Sequence, residues 1–319
     1  MSSGSKRILD ETLSQLLPHP IQSIQRYQTH CYRIHITTNL SYFCKVTFTE
    51  QNTTHSTMLE AEYQGLLALH EAHNVIQKQH NSTSSSHLSL SSPAIIAYHQ
   101  AEHLTLLLTE WFDFVSGTPQ QWLQCGQALA HFHNHSHRVH THHIQSTDQV
   151  QQFGYAHDNY IGLSPQSNQR STSWADFFVQ QRLKPQFEMA QQKKITFRQQ
   201  EQMIDKVYTL LDDHKPVPSL VHGDLWSGNI AISKQGVGVI YDPAVYYGDA
   251  EVDLAMSTLF GGMPRSFYEG YQINRPYVSG YQLRCKIYNL YHWINHAHLF
   301  GGYYIQQTQK CIDEIINSR

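Results

Sequence analysis

The sequence predicts an α+β protein of two lobes, a small β-rich N-lobe with one main helix and a larger, mostly α-helical C-lobe. Two observations lead to this prediction. Short β-branched and apolar runs are concentrated before residue 110. From about residue 120 onward, apolar residues recur mainly at helical spacing. We therefore expect an N-lobe of residues 1–110, a C-lobe of residues 111–319 and a cleft between them.

The composition is that of a globular protein, with 319 residues, 40% of them hydrophobic, and a formal net charge of −3. Without an excess of positive charge, bulk electrostatics favour neither nucleic acid nor a membrane surface. No apolar run approaches the ~20 residues of a membrane span, and the N-terminus shows no secretory signal. The five cysteines are widely spaced without a CxxC pair, as is usual in a reducing cytoplasm. We expect a cytoplasmic monomer or homodimer that binds neither nucleic acid nor a membrane.

The N-lobe elements follow from the periodicity of the apolar residues and from the positions of prolines. We predict a helix over 5–17, strands over 32–36 and 42–48, a helix over 56–72, and strands over 94–98 and 104–109. Residues 77–92 are rich in Ser, His and Asn and predict an exposed loop. In the second strand, Lys45 projects from the face opposite Cys44 and Val46, so it is either solvated or directed at the cleft.

The C-lobe contains long amphipathic stretches and one exception. The spacing predicts helices over 122–132, 174–189, 197–211, 281–299 and 303–316. The exception is a β-hairpin, in which strands over 230–232 and 237–241 flank the turn-rich segment 233–236.

The two ends of this hairpin carry oxygen-rich side chains. An antiparallel hairpin brings Asn229, before its first strand, beside Asp242, after its second, and Asp224 lies in the preceding loop. Two carboxylates and an amide suit a hard cation such as Mg²⁺ and a base that orients a hydroxyl for phosphoryl transfer. Either aspartate alone would be explained as a turn cap. The combined spacing, Asp-x4-Asn-x12-Asp, favours a phosphotransferase.

Several segments resemble one known family, the fructosamine kinases or ketosamine-3-kinases. They are His222-Gly-Asp-Leu-Trp-Ser-Gly-Asn229, Asp242 to Met256, Leu259-Phe-Gly-Gly262, Tyr288 to Gly302, Phe153-Gly-Tyr with Asp158 to Gly162, and Arg182 to Gln186. The resemblance covers the chain from about residue 40 to the C-terminus. It implies a bilobal protein-kinase-like fold of the aminoglycoside/choline kinase-like group. It also implies transfer of the ATP γ-phosphate to the 3-hydroxyl of a ketoamine, a sugar–amine adduct, which is a deglycation activity.

The resemblance implies roles for the oxygen-bearing residues and for the strand lysine. Asp224 would be the catalytic base, and Asn229 and Asp242 would hold Mg²⁺ against the phosphates. Lys45 would pair with the α- and β-phosphates, and Glu62 would fix Lys45. The resemblance also places Glu110, Trp111 and Phe112 at the adenine-binding hinge, and it assigns Asp253, Trp226 and His222 to support of the catalytic loop or of the substrate. For Asp253 two roles stay open: it either braces the catalytic loop or lines the substrate side.

One feature departs from the family pattern. Related kinases have glycines between the first two strands, but here no glycine occurs between Gly4 and Gly65. The expected loop over 23–31 therefore restricts backbone approach to the phosphates, which predicts weaker ATP binding unless Arg26 or His30 supplies a compensating cation.

Other features have two explanations each. Seven histidines between 131 and 143 include i,i+4 pairs that can bind Zn²⁺, but without a further fixed ligand we expect only adventitious binding. Cys31 is either a redox switch that links chains or an idle thiol. The aromatic residues of 288–304 are core residues or, in part, the floor of a sugar pocket. Two further functions stay open: a kinase for another amino-alcohol or sugar hydroxyl, and a nucleotide-binding protein with little catalysis.

Overall fold

The computed structural model describes residues 3–37, 39–48, 53–80, 89–137 and 152–318, and its helices and strands are numbered along those residues. The N-terminal part begins with one helix and three strands, continues with a long helix and ends with three more strands. These are α1 (Ser3–Leu16), β1 (Ser23–Gln28), β2 (Cys31–His35), β3 (Ser41–Phe48), α2 (Thr53–His80), β4 (Leu90–Ser91), β5 (Ile95–Gln100) and β6 (Leu104–Glu110).

Five of these strands form an antiparallel sheet in the order β1-β2-β3-β6-β5. One face of the sheet packs on α1 through buried residues such as Leu9, Leu13 and Val46. Lys45 is paired in register with Leu107, which packs with Leu59 and Leu66 of α2 on the other face. Lys45 therefore lies on the face that carries α2, as its strand position allowed.

Two N-terminal predictions were wrong. The expected loop over 23–31 is largely strand β1, and only the two-residue turn Thr29–His30 separates it from β2. The segment 77–92 was predicted as a loop, but α2 continues to His80 because Ile76 extends its buried stripe. Leu90 and Ser91 form β4, which pairs with a C-terminal strand. The remaining residues of that segment, 81–88, lie outside the described residues.

The C-terminal part is mainly helical, as predicted. It contains β7 (Phe114–Val115), α3 (Pro119–His135), β8 (Asn159–Ile161), β9 (Ser164–Gln166), α4 (Trp174–Phe178), a π-helix (Val179–Leu183), α5 (Lys184–Gln192), α6 (Gln200–Asp212), β10 (Ser219–Val221), β11 (Ile230–Ser233), β12 (Gly238–Ile240), β13 (Tyr246–Gly248), α7 (Glu251–Ser257), α8 (Arg265–Asn274), α9 (Tyr281–Phe300) and α10 (Tyr303–Ile316).

The predicted hairpin is confirmed as β11 and β12, with Ile230 opposite Ile240. It is not the sole β-structure of this part, since β8 pairs with β9 and β10 with β13. The predicted helix over 174–189 is a run of α4, the π-helix and α5, in which Pro185 is the second residue of α5 and supplies no backbone donor to the helical ladder. The domain boundary at residue 110 stays a prediction. No described helix is both long and apolar enough to cross a membrane.

Candidate active site

The open end of the hairpin brings the predicted oxygen ligands together. The Tyr241 amide donates to the Asn229 carbonyl over 3.1 Å, which sets Asp242 next to Asn229. The Nδ2 of Asn229 donates to the backbone oxygen of Asp224 at 2.9 Å and to its Oδ2 at 3.1 Å. Because Nδ2 donates both of these hydrogen bonds, the amide oxygen Oδ1 is the atom of Asn229 that can coordinate a metal ion. This set of oxygen donors fits a hard cation such as Mg²⁺.

The backbone around these carboxylates adopts conformations that few residues tolerate. Gly223 has φ 81° and lies so close to the Ala244 carbonyl that an added Cβ would clash at 2.1 Å. Asp242 has φ 56°, a left-handed conformation that is uncommon outside glycine, and Pro243 follows it. Such strain is typical of functional sites, where the surrounding packing holds it.

Asp253, on α7, braces the loop that carries Asp224. Its Oδ2 accepts from the His222 amide at 2.7 Å and from His133 Nε2 at 3.1 Å, and its Oδ1 accepts from the Gly223 amide at 2.8 Å. Burial by itself would raise the pKa of Asp253, but these hydrogen bonds lower it. Of the two roles left open for Asp253, these contacts fit bracing of the catalytic loop.

His222 supports the same loop from within. Its Nε2 donates to the Tyr241 carbonyl at 3.0 Å, and its Nδ1 accepts from the Asp224 amide at 3.3 Å. Burial lowers the pKa of His222 below its ordinary value, so the ring is neutral at pH 7. A neutral ring provides the donor and the acceptor that these two contacts require.

Lys45 connects the two parts of the chain. Its Nζ donates to both carboxylate oxygens of Glu62, at 2.8 and 2.9 Å, and to Asp242 Oδ1 at 2.7 Å. Burial alone would lower the pKa of Lys45, but the two carboxylates raise it above its ordinary value. The ammonium group is therefore held between α2 and the end of the hairpin, and the carboxylate of Asp242 stays 46% exposed.

Asp224 carries the most informative titration shift of the site. Burial and, to a smaller extent, the nearby charge of Asp242 raise the pKa of Asp224, the hydrogen bond from Asn229 lowers it, and the net result is a pKa of about 7. A carboxylate with a pKa near the working pH is suited to accept a proton.

Two cavities meet at Asp224. The first has a volume of about 490 Å³ and lies between the N-terminal sheet, α2 and the hairpin; its lining includes His30, Cys31, Lys45, Glu62, Asn229 and Asp242. The second, about 350 Å³, is lined mainly by apolar and aromatic side chains from the β8–β9 turn, α9 and α10. Gly162, Asp224 and Trp226 line both cavities, so a ligand in either cavity can reach the Asp224 carboxylate.

The predicted hinge residues are not among the described residues that line the first cavity. The Glu110 carboxylate accepts from the Ala94 amide at 3.5 Å. Trp111 lies under the Arg33 guanidinium, 4.3 Å from the ring centroid, and Phe112 stacks on Phe114. The adenine-binding role of these three residues therefore stays a prediction.

The structure bears on three further expectations, which concern the compensating cation, the Cys31 thiol and the histidine-rich segment. Among the described lining residues of the first cavity is His30 but not Arg26, which is exposed and donates to the Gln28 carbonyl. Burial raises the pKa of the Cys31 thiol, which keeps it protonated and less reactive. The rings of His131 and His135 lie 4.2 Å apart, and residues 138–143 of the histidine-rich segment lie outside the described residues.

Sequence reasoning missed the partners of the catalytic loop and most of the second cavity. His133 was counted only as one of the seven histidines between 131 and 143, but it is fully buried between Asp253 and the Tyr271 hydroxyl. Of the aromatic residues in 288–304, Phe300 and Tyr304 line the second cavity, whereas Tyr288 is core. The segment 259–262, which entered only through the resemblance, contributes Phe260 to the same cavity.

Comparison with known proteins gives the family. A family model described as fructosamine kinase matches residues 5–318. The chain belongs to the fructosamine kinase family. A Synechocystis protein named "probable ketoamine kinase" is 44% identical to this family member over 224 residues, which are 70% of this chain and 72% of the relative. For a second protein of that name, from Vibrio parahaemolyticus, the identity is 41% over 62% of this chain and 65% of the relative. As a member of this family, the chain is a phosphotransferase with an alcohol group as acceptor.

Solved structures show that this fructosamine kinase family member has a protein-kinase-like fold. A provisionally named fructosamine-3-kinase of Haemophilus somnus superposes with a TM-score of 0.77 at 24% identity, over 96% of both chains. One from Thermobifida fusca gives 0.76 at 24% identity, over 97% of this chain and 99% of the other. A choline kinase of Streptococcus pneumoniae gives 0.57 at 15% identity, over 99% and 100% of the chains. More distant neighbours of this fold were solved with AMP or with AMP-PNP and hygromycin B.

Proposed function

We propose that this protein transfers the γ-phosphate of ATP to the 3-hydroxyl of a ketoamine, with Mg²⁺, as a deglycation reaction. The observation that carries the proposal is the position of Asp224 where the two cavities meet. In-line phosphoryl transfer needs the acceptor hydroxyl next to the base, with the γ-phosphate of the nucleotide within reach of that hydroxyl. Family membership and the nucleotide complexes of its structural neighbours support ATP as the donor.

The first cavity has the charges that a nucleotide–metal complex needs. Asn229 Oδ1 and the exposed carboxylate of Asp242 would hold Mg²⁺, which neutralises charge on the phosphates when it is bound. All three donors of the Lys45 ammonium are engaged by Glu62 and Asp242. Lys45 must therefore exchange its contact with Asp242 for a phosphate oxygen, while Glu62 keeps the ammonium in position.

Asp224 would act on the acceptor. In its ionised form it accepts a hydrogen bond from the sugar hydroxyl and fixes that oxygen for attack, and it then takes up the proton. The hydrogen bond from Asn229 orients the carboxylate, and the brace from Asp253 holds the loop. Most of the rate enhancement then comes from positioning and charge neutralisation.

The decisive experiment replaces the base. In Asp224→Ala we expect ATP consumption on fructosamine and ribulosamine adducts to fall by at least about a thousandfold, because positioning and proton acceptance are lost together. Asp213→Ala, at an exposed position after α6, should keep wild-type rates. Near-wild-type turnover in Asp224→Ala, with unchanged circular dichroism, would exclude this mechanism. Choline and an aminoglycoside serve as alternative acceptors, and faster turnover on either would move the proposal to another acceptor.

The compartment proposed for this reaction is the cytoplasm. All five cysteines are unpaired in the structure, which agrees with a reducing environment. ATP is also the phosphate donor that such a compartment supplies.

A further inference from the structure

A row of aromatic rings runs from Asp224 to the mouth of the second cavity. Trp226, two residues after the proposed base, meets Phe260 edge-on, with ring centroids 5.9 Å apart. Phe260 lies 4.9 Å from His296, and His296 lies 5.4 Å from Phe300 and 5.1 Å from Tyr304. Phe300, at the outer end, is 64% exposed. The row therefore joins the reaction centre to solvent along one wall of the cavity.

The second cavity has an acidic group at its inner end. Among the described residues that line it, Asp224 is the only carboxylate, and no lysine or arginine is present. The histidines of the lining are uncharged at pH 7, because burial lowers the pKa of His292 to about 3 and also lowers that of His296. Among the described lining residues, no side chain is therefore positively charged at pH 7 and able to pair with an anionic group of a ligand.

The opposite side of the mouth is formed by the β8–β9 turn. Leu163, in that turn, lines the cavity although its side chain is 58% exposed. The turn is held at its base by two buried contacts, from Ser164 Oγ to Asn295 Oδ1 at 2.6 Å and from Asn159 Nδ2 to the Val245 carbonyl at 2.8 Å. The exposure of Leu163 is therefore a property of an anchored turn.

We propose that the amine-side substituent of the ketoamine lies along this aromatic row, and that Leu163 and Phe300 select substrates whose amine carries a neutral apolar or aromatic chain. This inference rests on the proposed function. If the sugar hydroxyl is at Asp224, the rest of the molecule must extend towards the mouth. Burial of apolar surface there favours such chains by roughly 25 cal/mol per Å², and a carboxylate would lose hydration without a partner.

The first test varies only the amine. Fructosamine adducts of methylamine, butylamine, hexylamine and benzylamine are compared with adducts of glycine and glutamate, as kcat/KM at saturating ATP. We expect kcat/KM to rise on the order of two- to fourfold per added methylene until the chain passes Phe300, and to be lowest for the acidic adducts. A flat series, or a preference for the acidic adducts, would overturn the inference. No ATP consumption on any adduct would instead remove the proposed function.

The second test changes the mouth. Leu163→Ser should flatten the alkyl series and leave the KM for ATP unchanged, because Leu163 lies outside the first cavity. Ile273→Ser is the matched control, since Ile273 is 60% exposed on α8 and lines neither cavity; it should keep the wild-type series. Leu163→Lys should raise kcat/KM for the glutamate adduct at least about fivefold relative to the hexyl adduct, a change of preference that a merely structural role would not produce. An unchanged ranking of substrates in both Leu163 variants would contradict the assignment.

Discussion

The activity should depend on the ionisation of Asp224, and lowering the pH is the perturbation that tests this directly. Burial and the charge of Asp242 raise the pKa of Asp224 to about 7. Only the ionised carboxylate accepts the hydroxyl proton, so kcat/KM should fall with unit slope below that pKa. Relative to the plateau above pH 8, we expect a loss of about tenfold at pH 6 and about a hundredfold at pH 5.

The assay must separate the enzyme from its substrate. Phosphate groups titrate near pH 6, so the concentration of the Mg²⁺–ATP complex is held constant at each pH, and both substrates are kept below saturation. Circular dichroism at each pH controls for unfolding. A profile that is flat down to pH 5 would refute the assignment of Asp224 as a base with a raised pKa.

Two further predictions concern stability. The pKa of Asp224 is higher in the folded than in the unfolded state, so ionisation of Asp224 lowers the free energy of unfolding as the pH rises, fully above pH 7. In urea titrations at pH 8.5, Asp224→Asn should therefore have a higher free energy of unfolding than wild type, by at most a few kcal/mol. The gain should be smaller at pH 5.5. An equal or larger gain at pH 5.5 would contradict this sign. In Asp253→Ala, two backbone amides and His133 lose a buried acceptor, which should cost roughly 3–5 kcal/mol in the free energy of unfolding. A loss below about 1 kcal/mol in urea titrations would show that the brace contributes little.

The sequence predicts those parts of the site that local chain geometry determines. Asn229 and Asp242 are neighbours because a short antiparallel hairpin closes between them. Asp224 is five residues before Asn229, so its loop has little freedom to place it elsewhere. Lys45 could be assigned to one face of its strand by alternation alone. Its contact with Glu62 was implied only by resemblance, because a strand and a helix can pack in several registers.

The bracing contacts depend on packing between distant segments and were not predictable. His133 stands in a histidine-rich run, in which nothing local distinguishes it from its neighbours. It meets Asp253, 120 residues away, only because α3 and α7 pack in the same buried region. The end of α2 was misplaced for a related reason: its polar residues 77–80 have loop-like composition, while the buried stripe that ends at Ile76 keeps the helix intact.

The second cavity explains why the acceptor is harder to infer than the reaction. Its walls come from the β8–β9 turn, the catalytic loop, the segment around Phe260, and the junction of α9 and α10. No short motif contains these pieces, whereas the phosphoryl-transfer chemistry is concentrated within about twenty residues of the hairpin. Proteins can therefore keep the hairpin and exchange the walls, as expected for a fold shared with a choline kinase and an aminoglycoside phosphotransferase. In this chain, substitutions in the outer part of the ring row, from Phe260 to Phe300, should change acceptor selectivity while the KM for ATP stays constant.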